Sequence, residues 1–225
     1  KLFCVLLYYP QDALLHHGDV LLAAVDVSGL PAVRRMQLEA FVRGLLQTDT
    51  LEAQDRWLQT FDRGRNMSLL LFEHIHGESR DRGQAMVDLI EAYRKNGYEL
   101  DAKELPDYLP LVLEYLSQRP QEEARDWLQH GSDIVGLLGA RAGERQSPYT
   151  LLLEILVEYA EGKLDLGSLR QRASQEPRDD TPEVMDQVWE EEAVRFGTEA
   201  PTDDCKPNSR PAYRTTNAAT QQVQP

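Results

Sequence analysis

The chain has 225 residues, of which 41% are apolar and 28% charged, with a formal net charge of −14. That length can bury a substantial core, and no run of eighteen uninterrupted apolar residues occurs, so no transmembrane helix is expected. Residues 176–204 carry a net −9, and such acidity disfavours nucleic acid and anionic lipid while favouring a cationic partner. Cys4 and Cys205 lie far apart, one in an apolar and one in a polar stretch, which suits a reducing compartment and no disulfide framework.

Nearly every segment has helical period, and strand-like alternation is almost absent. Leu2 to Tyr8 read as a helix ended by Pro10. The segment lacks an initiator Met and a small-residue cleavage site, so it is read as the remainder of a first helix in a trimmed chain, not as a secretory signal. A second helix is expected over 11–25, with Gly29 closing its turn. Pro31 suits the first turn of a third. Leu51 to Phe61 follow, with Trp57 and Phe61 four apart and so on one face. Ser68 is a candidate N-cap for Leu69 to His74, and Ser79 for the next helix. From Arg82 to Asn96 the apolar residues recur cleanly, and Gly97 fits the C′ position. A helix from Leu109 stops before Pro120. Residues 121–140 hold one helix or two, with Gly131 as the break. Ser147-Pro148 reads as N-cap and N1 of a helix over 148–161, followed by a short one near 165–174. Thr181-Pro182-Glu183 opens an acidic helix to about Glu192, and the polar residues 196–225 are expected to be disordered. The whole implies an all-α protein of about ten helices in one domain over 1–195, with a tail over 196–225.

The stretch from Trp57 to Gln84 is densest in chemistry. Glu73, His74, His76, Glu78, Arg80, Asp81 and Arg82 crowd together behind the apolar run Leu69 to Phe72. Groups so packed satisfy one another in a partly shielded place. Two histidines one residue apart diverge by about 200° on a helix, so one metal ion does not easily take both. No nucleophile, phosphate loop or oxyanion arrangement accompanies the acids, so no catalysis is expected. Trp57, Phe61, Leu69 to Phe72 and Leu109 to Leu116 read either as core or as a groove, apolar at its base and acidic at its rim, for a basic amphipathic segment. Glu104 and Asp107, beside Pro106 and Pro110, read equally as helix-start acids or as one wall of that groove.

The run F-D-R-G-R-x-x-S-L-L-L-F-E-H-x-H-x-E-S-R-D-R-G-Q-A-M-V-D-L, Phe61 to Leu89, resembles the nitrate reductase delta-subunit family of NarJ/NarW-type chaperones. E-L-P-D-Y-L-P-L-x-L-E-Y-L, Glu104 to Leu116, fits the same family, and so does the acidic stretch at Trp189. The resemblance extends to the wider TorD/DmsD-like group and implies an all-helical, cytoplasmic, non-catalytic protein. Its implied partner is the apo catalytic alpha subunit of respiratory nitrate reductase, alone or in the alpha-beta complex, together with proteins of molybdenum cofactor biosynthesis. The chaperone would hold that subunit until molybdopterin guanine dinucleotide is inserted, binding no cofactor stably itself, and would leave before membrane docking. In the wider group an aromatic-x-x-Leu-Phe stretch and an E-x-P-D-H segment form the leader-peptide pocket. Trp57, Thr60 and Phe61 fall on the first, and Glu104, Pro106, Asp107 and Tyr108 on the second, with Thr60 and Tyr108 departing from the pattern. The expected peptide site is these residues with Phe72, Val112 and Tyr115, Asp107 and Glu104 pairing with a basic residue. Glu73 to Arg82 either hold its wall or form a second contact.

Overall fold

Helical periodicity over almost the whole sequence becomes, in the computed structural model, twelve α-helices and one 3-10 turn among the described residues. These residues are 1–77, 79–100, 103–161, 164–184 and 186, all within one unit spanning Lys1–Gln187. Glu78, the stretch at Trp189 and the tail expected over 196–225 lie outside them.

In chain order the helices are α1 (Leu2–Leu7), α2 (Asp12–Leu15), α3 (Gly18–Asp26), α4 (Ala32–Gln47), α5 (Thr50–Phe61), α6 (Leu71–His76), α7 (Asp81–Lys95), α8 (Leu109–Leu116), α9 (Gln121–His130), α10 (Ser132–Glu144), α11 (Thr150–Tyr159) and α12 (Leu166–Gln175). The expected helix over 11–25 is two. His17 leaves helical geometry (φ −107°, ψ 35°), and Gly18 starts α3 where a Cβ would stand 2.7 Å from Leu46 of α4. The close approach of α3 to α4 at this point suits a glycine. Gly131 also separates two helices. Ser147 does not cap α11 directly. It accepts from Tyr149 N in a turn one step earlier, and the helix starts at Thr150.

The core is built where α8 and α11 are enclosed. Of the eight residues of α8, all but Leu111 and Glu114 are buried, as expected of a helix packed against α1 and α9. Leu152, Leu153, Ile155 and Leu156 of α11 are buried in the same cluster, and α10 packs on α11 and α12. Burying four such side chains contributes roughly 6–12 kcal/mol before chain entropy is set against it. No β-strand occurs among the described residues, only one isolated antiparallel bridge, Leu70 to Tyr108.

Candidate functional site

That bridge joins the two motifs. Leu109 N donates to Leu69 O at 2.8 Å and Leu71 N to Asp107 O at 3.1 Å, so the segment before α6 lies against the segment before α8. Asp107 then reaches across. Its Oδ2 accepts from Phe72 N at 2.9 Å, satisfying one of the orphan donors at the start of α6. Ser68 was the local candidate for that cap. It accepts instead from Leu70 N at 3.2 Å, in the turn leading into the helix. Asp107 is fully buried, and burial holds its carboxyl above the usual carboxylate range. Its second oxygen, Oδ1, is buried without a hydrogen-bond partner among the described residues.

The polar cluster is arranged around this junction. Arg82 pairs with Glu73 at 3.3 Å, both partly shielded. His74 Nε2 lies 2.8 Å from Ser68 O, an arrangement in which that nitrogen donates. Burial, and next the charge of Arg141, hold the imidazole below its ordinary pKa. His76 sets its ring edge against Phe72, with centroids 5.7 Å apart, so the two histidines diverge as the sequence implies. Arg80 and Asp81 are exposed at the start of α7, and Ser79 accepts from Asp81 N at 3.2 Å in the turn before the helix, whose N-cap position is Arg80 and not Ser79. Among the described residues no His, Cys, Asp or Glu cluster has metal-holding geometry.

The aromatic residues of the expected groove are distributed through the core. Phe61 is buried between Trp57 and Tyr149. Half-buried Trp57 donates Nε1–H to Leu7 O at 2.9 Å. Thr60 is buried and donates to Arg56 O. Tyr108 is buried against Tyr8, centroids 5.9 Å apart, and the adjoining Tyr9 packs on Trp57. Pro106 is buried, its carbonyl accepting the Tyr93 hydroxyl at 2.8 Å. Val112 is buried in the core, Phe72 is half-buried and Glu104 is exposed.

An open groove lies instead along the outer side of α7 and α8. The end of α7 explains it. Gly97, at φ 81°, closes a Schellman turn in which Gly97 N donates to Arg94 O at 2.9 Å and Tyr98 N to Tyr93 O at 3.0 Å. The turn brings Tyr98 edge-on to Tyr115, 5.6 Å between centroids, while Tyr93 packs on Tyr115 at 4.6 Å. These three rings and Leu111 form the base of a groove of about 440 Å³, and Glu99 and Glu114 stand on its lining. Both acids are exposed and enter no ion pair among the described residues. Asn96 holds the Tyr115 hydroxyl at 2.8 Å, fixing that ring. A second depression, of about 280 Å³ between Phe3, Leu116, Leu128 and Tyr159, is apolar without an acid on its lining. Of the groove residues only Tyr115 is in the sequence-expected set. Tyrosines spaced along two helices, with acids between them, were the signal available for the others.

The model of the nitrate reductase delta subunit matches residues 29–151. The chain belongs to the nitrate reductase delta-subunit family. It is 47% identical over 192 residues to the nitrate reductase molybdenum cofactor assembly chaperone NarJ of Escherichia coli K12, covering 85% of this chain and 81% of that protein. The probable nitrate reductase molybdenum cofactor assembly chaperone NarW of the same strain is 46% identical over 185 residues, with 81% and 80% covered. A probable NarJ of Bacillus subtilis is 33% identical over 103 residues, 46% of this chain and 56% of that protein. The matched region of this delta-subunit member contains the motif junction and the tyrosine groove.

Proposed function

We propose that this delta-subunit family member is a cytoplasmic, non-catalytic assembly chaperone for a respiratory nitrate reductase. It binds the apo catalytic alpha subunit through that subunit's N-terminal segment and releases it after molybdenum cofactor insertion. The cofactor is the partner's cargo; the chaperone positions peptide. The assembly role of the NarJ and NarW relatives supports this reading. The observation that carries it is the tyrosine groove, with aromatic rings at its base and two unpaired carboxylates at its edge on a strongly acidic chain.

In the proposed complex, apolar side chains of the segment lie on Tyr93, Tyr98, Tyr115 and Leu111, and a basic side chain reaches Glu99 or Glu114. Burying three or four apolar side chains supplies roughly 5–10 kcal/mol before ordering costs. The junction of the two motifs ties the segment before α6 to the segment before α8, the helix that carries Leu111, Glu114 and Tyr115. Exposed Glu104 adds negative charge to the segment before α8.

A pull-down of the alpha subunit from cells with and without molybdenum cofactor synthesis tests the reading. Enrichment of the cofactor-free subunit is expected. Equal recovery of mature enzyme in fixed ratio would mark a structural subunit instead.

A further inference from the structure

One place on this acidic chain concentrates the opposite charge. Arg56 near the end of α5, Arg63 in the loop after it, Arg145 at the end of α10 and Arg178 beyond α12 line one polar depression of about 440 Å³. Asp180 is the single carboxylate on that lining. It accepts from Arg178 at 2.9 and 2.6 Å. From Arg145 Nη1 it stands 3.6 Å away, beyond hydrogen-bond range. Arg145 gives its other terminal nitrogen to Asp179 at 2.7 Å, while Nη1, buried, has no hydrogen-bond partner. Its side chain is 9% exposed, so this charge lies in the wall of the depression.

Part of the concentration has a structural cause. α5 and α10 both end here, and cations favour helix C-termini. That accounts for Arg63 and Arg145. It does not account for Arg56, which stands a turn earlier, or for Arg178, which comes from a separate segment. Arg56 is held only by Glu52 on the exposed helix face, a pair of the kind that contributes little. Arg63 is exposed and pairs with no acid among the described residues. Gln146 adds a carboxamide from a backbone held at φ 54°, a conformation non-glycine residues adopt rarely. The lining contains no aromatic ring, so it offers charge and hydrogen bonds without a stacking surface.

We propose that this depression binds a small molecule through a phosphate or pyrophosphate group. Guanidinium forks match phosphoryl oxygens two at a time, and Arg56 and Arg63 are the two free to turn toward such a group. Arg145 and Arg178 lend field from behind. The depression shares no residue with the tyrosine groove, so peptide capture and anion binding fail or stand separately.

Calorimetry on the full chain at low salt, with inorganic pyrophosphate and with adenosine diphosphate as probes, tests it. Both should bind, and affinity should fall at least tenfold in Arg56→Gln/Arg63→Gln with helicity unchanged. Adenosine diphosphate binding tenfold or more tighter than pyrophosphate identifies a nucleotide-borne phosphate; a smaller gap identifies the free anion. Arg63→Gln alone, at an exposed loop position, carries the test should the double variant fold poorly, with at least a threefold loss expected. No heat from either probe, affinity unchanged in the variants, or displacement of pyrophosphate by polyglutamate at lower concentration than by pyrophosphate itself would overturn the proposal.

Discussion

The motif junction and the tyrosine groove divide between them what the sequence concentrates in one place. At the junction, charged and polar side chains are turned on one another: Asp107 on Phe72 N, Glu73 on Arg82, His74 on Ser68 O. In the groove, Tyr98 and two exposed acids line an open depression floored by Tyr93 and Tyr115, which are buried and held by hydrogen bonds to Pro106 O and Asn96. Dense, specific chemistry in a sequence can thus serve to lock two helices together, while a sparser pattern nearby is left available. Buried polar groups are costly unless satisfied, and the junction satisfies Phe72 N and the His74 ring while leaving Asp107 Oδ1 and Arg82 Nε buried without hydrogen-bond partners among the described residues.

The comparison breaks most easily at Asp107. Asp107→Ala leaves the Phe72 N–H buried without a partner and should cost about 2 kcal/mol in urea-induced unfolding. Asp107→Asn keeps an acceptor and should cost less. A loss below 0.5 kcal/mol (roughly the surface-substitution level) for Asp107→Ala would remove the junction from the stability account. Next comes Tyr93→Phe, which deletes the buried bond to Pro106 O and should cost about 1 kcal/mol. Smallest is the groove itself. Glu99→Lys with Glu114→Lys should leave stability within about 0.5 kcal/mol, because both side chains are exposed and unpaired.

The two regions also differ in their response to acid. His74 has a folded-state pKa below the ordinary 6.5, so the unfolded chain takes up the proton first. Its contribution to stability is complete above 6.5 and is lost as pH falls through the folded value. Asp107 runs oppositely. Its raised carboxyl pKa gives a contribution present below the unfolded value and lost as pH rises through the folded one. On its own the histidine makes stability decline between pH 7 and 5.5. His74→Gln should flatten that decline, as urea midpoints across the range would show; an unchanged slope would assign the decline to other groups.

Much of the fold was legible locally. α7 and its glycine stop follow from apolar spacing and from Gly97 at C′, and the split at Gly131 lies where the sequence allows it. The break at His17 was not legible, because the apolar spacing runs through it and the contact that suits Gly18 there is with Leu46 on another helix. The cap on α6 was misplaced for the same reason: Ser68 is the local candidate, whereas Asp107 arrives from 35 residues away. Phe61 and Trp57 read first as core and second as groove, and Phe61 packs on Tyr149 while Trp57 bonds Leu7 O. Tyr93, Tyr98 and Tyr115 meet only because the α7 stop turns the chain back toward α8. No window of the sequence contains that meeting.

The most direct measurement is calorimetric titration of a synthetic N-terminal peptide of the nitrate reductase alpha subunit into wild type, Glu99→Lys/Glu114→Lys and Asp107→Asn, each checked for native helicity. Recognition at the tyrosine groove predicts at least tenfold weaker binding to the charge-reversed groove and affinity within twofold of wild type for Asp107→Asn. Unchanged binding to the groove variant, with tenfold loss at Asp107, would return recognition to the motif junction and contradict this account.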